Sequence, residues 1–147
     1  MVHILTRKMN KVIGLDLGAR TCGVALSDIM GMIASPVETI RFEEDDYETA
    51  CSKVVDIIKA NNVKKVVLGL PKHMNGDVGV RGEISMQFRE MLLEKADVDV
   101  ILWDERLTTV SAQKSMIASN MNRKKRHRMV DTMTAVIILQ SYLDSQY

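Results

Sequence analysis

The chain has 147 residues, enough for one domain of ordinary size with a substantial core. Its 46% hydrophobic and 27% charged residues are the balance of a globular protein, and no apolar run approaches the ~20 residues of a membrane-crossing helix. A net charge of +1 excludes a global basic field, and Cys22 and Cys51 have no metal-ligand spacing.

Met1–Asn10 (MVHILTRKMN) has no signal-peptide layout, so a cytoplasmic location is expected; it reads as an extension, with Met9 an alternative start. The domain proper is expected over 11–147. Lys11–Leu17, Gly23–Ser27 and Ile33–Ile40 read as three strands with short connections, a meander. Tyr47–Asn61 reads as a helix, with Ala50, Val54, Ile57 and Ile58 on one face. Lys64–Leu70 is a buried strand, Pro71–Gly82 a glycine-containing loop, and Glu83–Lys95 a helix with Ile84, Phe88, Met91 and Leu92 inward. Asp99–Trp103 is a fifth strand and Thr109–Ser119 a less clearly patterned helix. Asn120–Arg128 reads as a basic loop, and Asp131–Leu143 as a helix apolar on most sides. The order β-β-β-α-β-α-β-α-α predicts an α/β fold of ribonuclease H-like arrangement: a five-stranded mixed sheet, three strands as a meander and two added in parallel, flanked by helices. The cysteines read as reduced core residues, and the eleven methionines as core filler.

Val12–Asp28 (VIGLDLGARTCGVALSD) holds the sharpest chemical signal. Asp16 stands among Val12, Ile13, Leu15 and Leu17, where a charge is costly unless paired or bound to a metal. Gly14 and Gly18 leave room beside it for another group to approach. The bland alternative is an aspartate satisfied by backbone N–H groups. Glu105 follows the fifth strand, and Asp131 begins the last helix. Groups at the carboxyl ends of parallel strands gather on one rim, so Asp16 and Glu105 are expected together. Asp131 joins them if its helix starts at that rim. Three converging carboxylates need a hard cation, and oxygen-only ligands suit one or two Mg²⁺ or Mn²⁺ ions. Taken singly, Asp131 equally suits a helix N-cap, and Glu105 a surface pair with Arg106 or Arg81.

Arg123-Lys124-Lys125-Arg126-His127-Arg128 packs five fixed positive charges into six positions. Such a run is ordinarily a solvated face; beside a carboxylate site it guides a phosphate backbone. Arg20, Lys72, Arg81 and Arg106 are further candidate phosphate contacts. His73 and His127 read as loop residues rather than catalytic bases.

Four blocks, GLDLGARTCGVALSD at 14–28, VVLGLPKHMNG at 66–76, DERLTT at 104–109 and DTMTAVIILQSYL at 131–143, together resemble the YqgF/RuvX family. Members are described as Holliday-junction resolvases and as pre-16S rRNA nucleases. The resemblance implies a ribonuclease H-like metal-dependent nuclease with Asp16, Glu105 and Asp131 as catalytic and metal-binding set. It also implies a cytoplasmic protein acting on structured nucleic acid, either an rRNA precursor or branched DNA, as a monomer or homodimer. Two departures from related resolvases stand out. The fourth strand ends Gly69-Leu70-Pro71 without an acid, and Thr134 stands where related resolvases often carry one. Pre-16S rRNA processing is expected ahead of junction resolution. A non-catalytic binding module is a further alternative. DLGART also resembles the first phosphate loop of actin-like ATPases, but no second such loop is apparent.

Overall fold

Alternation along each strand sorts the core into two layers. Ile13, Leu15 and Leu17 point to one side of the first strand and Val12, Gly14 and Asp16 to the other, as the period of two requires. The computed structural model describes residues 10–73, 75–108 and 123–146, with side chains of 123–131 outside that description. Five strands are present: β1 (Val12–Leu17), β2 (Thr21–Ser27), β3 (Ala34–Arg41), β4 (Lys65–Leu70) and β5 (Asp99–Asp104). They form one sheet in the order β3-β2-β1-β4-β5. The pairs β1–β2 and β2–β3 are antiparallel, whereas β1–β4 and β4–β5 are parallel. This is the expected meander extended by two parallel strands. A 3₁₀ turn, Glu105–Leu107, follows β5 directly.

Helices α1 (Tyr47–Ala60) and α2 (Val80–Lys95) cover one face. Val54 and Ile58 of α1, with Phe88 and Leu92 of α2, pack there on Ile13, Leu15, Val24 and Leu68. Asp46 caps α1, its carboxylate accepting from the Thr49 amide at 3.3 Å and the Thr49 hydroxyl at 2.6 Å. Helix α3 (Arg123–Ser145) covers the other face, where Ala135, Ile138, Leu139 and Tyr142 meet Ala25 and Val67.

Element ends shift by one or two residues from the sequence reading, and two helices extend three or more residues further toward the N-terminus than expected. Helix α2 starts at Val80 rather than Glu83. Gly82, taken as a loop residue, lies inside its first turn, because a Cβ there would stand 2.8 Å from the Pro71 carbonyl. The glycine serves close packing, not chain reversal. The described part of α3 already includes Arg123, so Arg123, Lys124, Lys125, Arg126 and Arg128 are helical, not loop. Lysine and arginine are good helix formers, and clustered charge alone does not break a helix. Asp131 therefore lies about two turns inside α3 and is not its N-cap. The expected helix over Thr109–Ser119 and the extension before Asn10 lie outside the described residues, as do 120–122.

The two layers meet without space to spare at Gly14. A Cβ at this position would stand 2.6 Å from Leu139 Cβ and 3.1 Å from the Ala135 carbonyl. Gly14→Ala is expected to push α3 off the sheet and destabilise the protein by about 1–3 kcal/mol, the usual cost of overpacking, read as a lower urea midpoint. An unchanged midpoint would show that α3 seats loosely.

Candidate active site

The carboxyl ends of β1, β4 and β5 share one rim, because the three strands run parallel. A cavity of about 380 Å³ opens there, lined by Asp16, the turn Leu17, Gly18 and Ala19, then Pro71, Arg81 and Glu105. Each strand contributes through the residues at or just after its end, the usual place for a site in such sheets.

Asp16 is 9% exposed, which for a carboxylate demands a partner or a bound cation. The turn after it is tight, the Gly18 amide donating to the Thr21 carbonyl at 2.7 Å. Glu105 arrives from the other side of β4. The parallel register pairs Leu15 with Leu68, so Asp16 and Gly69 are the next neighbours on the α3 face. A Cβ on Gly69 would lie 3.5 Å from the Glu105 carboxyl carbon and 2.7 Å from Ile138 Cδ1. Gly69 thus supplies the space through which Glu105 reaches toward Asp16. The missing acid at the end of β4 and the acid after β5 are two sides of one arrangement.

The side chain of Asp131 lies outside the described residues, but the register of α3 is defined next to it. The Thr132 hydroxyl of α3 hydrogen-bonds the Thr39 hydroxyl of β3. Thr39 pairs with Gly23, and Gly23 with Asp16, so these residues share one level of the sheet. The α3 backbone beside Asp131 therefore passes the sheet at the level of Asp16. Thr134, one turn on, is fully buried in this layer. Among the described residues no three His, Cys, Asp or Glu side chains converge as a complete metal site.

The candidate cations divide into groups. Arg81 is built into the cavity wall; its guanidinium donates to the Leu17 carbonyl and to the Tyr47 hydroxyl, each at 3.3 Å. Lys72 and Arg106 both turn to Asp104, a residue that sequence reasoning passed over. Arg106 Nη2 donates to Asp104 at 2.7 Å and Nε to both carboxylate oxygens at 3.1 Å; Lys72 Nζ stands 3.8 Å away. Asp104 also accepts from the Arg106 amide at 2.9 Å, capping the 3₁₀ turn that carries Glu105. The Arg106 hydrogen bonds hold its carboxyl below the ordinary value of 3.8. The available signal was the Asp-x-Arg spacing, in which a short acid serves the backbone two residues on. Arg20 is exposed on the β1–β2 turn and pairs with Glu44 at 3.2 Å. Arg123–Arg128 belong to α3, and their side chains lie outside the described residues.

A family model described as RuvX, Holliday junction resolvase, matches residues 10–145. The chain belongs to the RuvX family. Among curated relatives, a Staphylococcus aureus protein (strain bovine RF122 / ET3-1) named "Putative pre-16S rRNA nuclease" is 47% identical over 137 residues, covering 92% of this chain and 96% of that one. The same name and figures apply to the protein of S. aureus strain JH9. The sheet and helices of this RuvX-family chain also superpose on Thermus thermophilus RuvC. For RuvC in complex with a Holliday junction substrate the TM-score is 0.65 at 11% identity, over 93% of this chain and 95% of RuvC. A second T. thermophilus RuvC structure gives a TM-score of 0.60, also at 11% identity, over 92% of this chain and 95% of that one. At this identity the likeness shows the fold, ribonuclease H-like as expected.

Because its carboxyl is held below the ordinary value, ionised Asp104 contributes stability above about pH 4 that disappears as pH falls through its folded value. Asp104→Asn is therefore expected to be less stable than the wild type at pH 7, with the gap closing toward about pH 2. Urea unfolding at both pH values checks this. A gap independent of pH would mean that the ion pair contributes nothing.

Proposed function

We propose that this chain is a metal-dependent endonuclease that hydrolyses phosphodiester bonds, acting in 5′-end processing of pre-16S rRNA. The observation that carries the reading is the convergence of Asp16 and Glu105 on one rim cavity walled by Arg81. The 47% identity to relatives named as pre-16S rRNA nucleases, over almost the whole of both chains, supports the substrate.

Asp16, Glu105 and Asp131 form the metal-binding and catalytic set. The donor set is carboxylate oxygen throughout, which fits Mg²⁺ or Mn²⁺, and the burial of Asp16 is the kind that a cation offsets. When bound, one or two such ions polarise the phosphate and assist deprotonation of the attacking water. Arg81, held at both ends of its guanidinium, presents fixed positive charge to the phosphate at the cavity wall. Lys72 and Arg106, gathered by Asp104, extend this charge along the β4–β5 side. Arg20 and the basic segment of α3, with Arg123, Lys124, Lys125, Arg126 and Arg128, steer the rest of the nucleic acid. Contacts of this kind read phosphate position and shape rather than base sequence. The site of action is the cytoplasm, and the protein acts as a monomer or homodimer.

The family description also names junction resolution, so both substrates belong in one assay. The wild type with Mg²⁺ or Mn²⁺ is expected to cut a labelled rRNA-precursor leader and to stop when the ion is chelated. Asp16→Asn is expected to lose more than the ~10–100-fold typical of outer-shell changes while retaining RNA binding. Paired symmetric cuts in a four-way DNA junction, without RNA cleavage, would replace RNA processing by resolution. A symmetric cut also requires a two-fold dimer. Cutting that survives in Asp16→Asn would remove Asp16 from the catalytic set.

A further inference from the structure

A second cavity, about 360 Å³, adjoins the first and shares its Pro71 and Arg81 walls. Lys72, His73, Gly79 and Val80 complete most of its lining, and among the described residues no carboxylate lines it. We propose that this cavity holds an unpaired nucleobase, that of the nucleotide flanking the phosphate cut at Asp16 and Glu105, with His73 as its stacking platform. The proposal rests on the nuclease reading for which phosphate is cut, and adds the substrate's local state: single-stranded at the cleavage point.

Four observations carry it. The volume lies in the range of pockets that take small organic ligands, roughly 300–1,000 Å³. The walls are largely carbon, from Pro71, Gly79 and Val80. Val80 is 74% exposed and presents an apolar side chain at the cavity. The His73 ring meets Gly79 by its Nε2 tip. A Cβ on Gly79 would lie 2.6 Å from Nε2 and 3.3 and 3.4 Å from Cε1 and Cδ2, an oblique contact at the end of the ring. The residue is exposed, so the ring is open to a stacking partner at the cavity. The loop that carries the ring is closed by backbone bonds, the His73 amide to the Asp77 carbonyl and the Gly76 amide to the His73 carbonyl, each 2.9 Å. Finally, the shared Arg81 wall separates the two cavities by one guanidinium. A strand with a phosphate on the carboxylate side of Arg81 brings an adjacent base to the His73 side. A base inside a duplex is stacked and paired and cannot enter, whereas an unpaired base stacks readily on an imidazole.

The test is binding of the full chain, with divalent ions chelated so that nothing is cut, to a short single-stranded RNA and to a base-free ribose–phosphate oligomer of equal length. The wild type is expected to prefer the base-bearing RNA by on the order of tenfold, within the span of one stacked base. His73→Ala should remove most of that preference and leave affinity for the base-free oligomer unchanged. His73→Phe, which keeps a ring but no charge or hydrogen bond, should restore it. A preference that persists in His73→Ala overturns the proposal, because the bases then bind elsewhere. Equal weakening of both probes also overturns it, because His73 then serves phosphate. The readout is independent of cleavage. A wild type that never cuts RNA would sink the nuclease reading while leaving the binding result to judge this one.

Discussion

The seat of α3 on the sheet is the constraint from which the site follows. The helix lies so close at Gly14 that a Cβ there would stand 2.6 Å from Leu139 Cβ and 3.1 Å from the Ala135 carbonyl, while a Cβ at Gly69 would displace only the Ile138 Cδ1 methyl. A larger residue at Gly14 would lift the helix, and with it the level at which Thr132 meets Thr39. The other end is pinned by Gln140, which accepts from the Ala34 amide and donates to the Met32 carbonyl, each at 2.9 Å. Two anchors about two turns apart leave a rigid helix little freedom to slide. The same absence of side chains on β1 and β4 that admits α3 also leaves the hollow beside Asp16 that Glu105 enters.

Charge at the rim is arranged by the scaffold as well as by the acids that line the cavity. Asp104 is the clearest case: it caps the turn bearing Glu105 and draws Lys72 and Arg106 to one place. A fully exposed cluster of this kind would be worth little. Here the Asp104 side chain is only 16% exposed, so its bonds to Arg106 have directional value. Arg81 illustrates another route to the same end. Bonds to a carbonyl and a hydroxyl place its charge without neutralising it, so it stays available to an anion.

The fold shared with RuvC brings the carboxyl ends of three parallel strands to one rim. In this chain the strand that ends Gly69-Leu70-Pro71 carries no acid, and the carboxylate comes one strand further along, from Glu105. The geometry explains how that substitution is possible. Glu105 belongs to a 3₁₀ turn fixed to the end of β5, and its longer side chain crosses the space above Gly69. Nothing in the two-residue alternation of β4 would reveal such a crossing.

Much of this was legible in the sequence, and the physical reasons differ between parts. Strand order, helix order and the mixed sheet follow from apolar periodicity and short connections, which are local properties. Asp16 stood out because a charge within an apolar strand is costly anywhere. The helical state of 123–128 was not legible, because five basic residues look like a solvated loop while each is individually a good helix former. The start of α2 was obscured in the same way by Gly82, whose purpose is packing on Pro71 rather than turning the chain. Sequence alone thus determined the family, the fold class and which acids are candidates. Only the tertiary structure decided that Glu105 reaches past Gly69 toward Asp16, that Asp104 gathers Lys72 and Arg106, and that His73 stands over a second cavity. The reach of Glu105 past Gly69 and of Lys72 to Asp104 depends on distances between segments far apart in the chain, which no local pattern encodes.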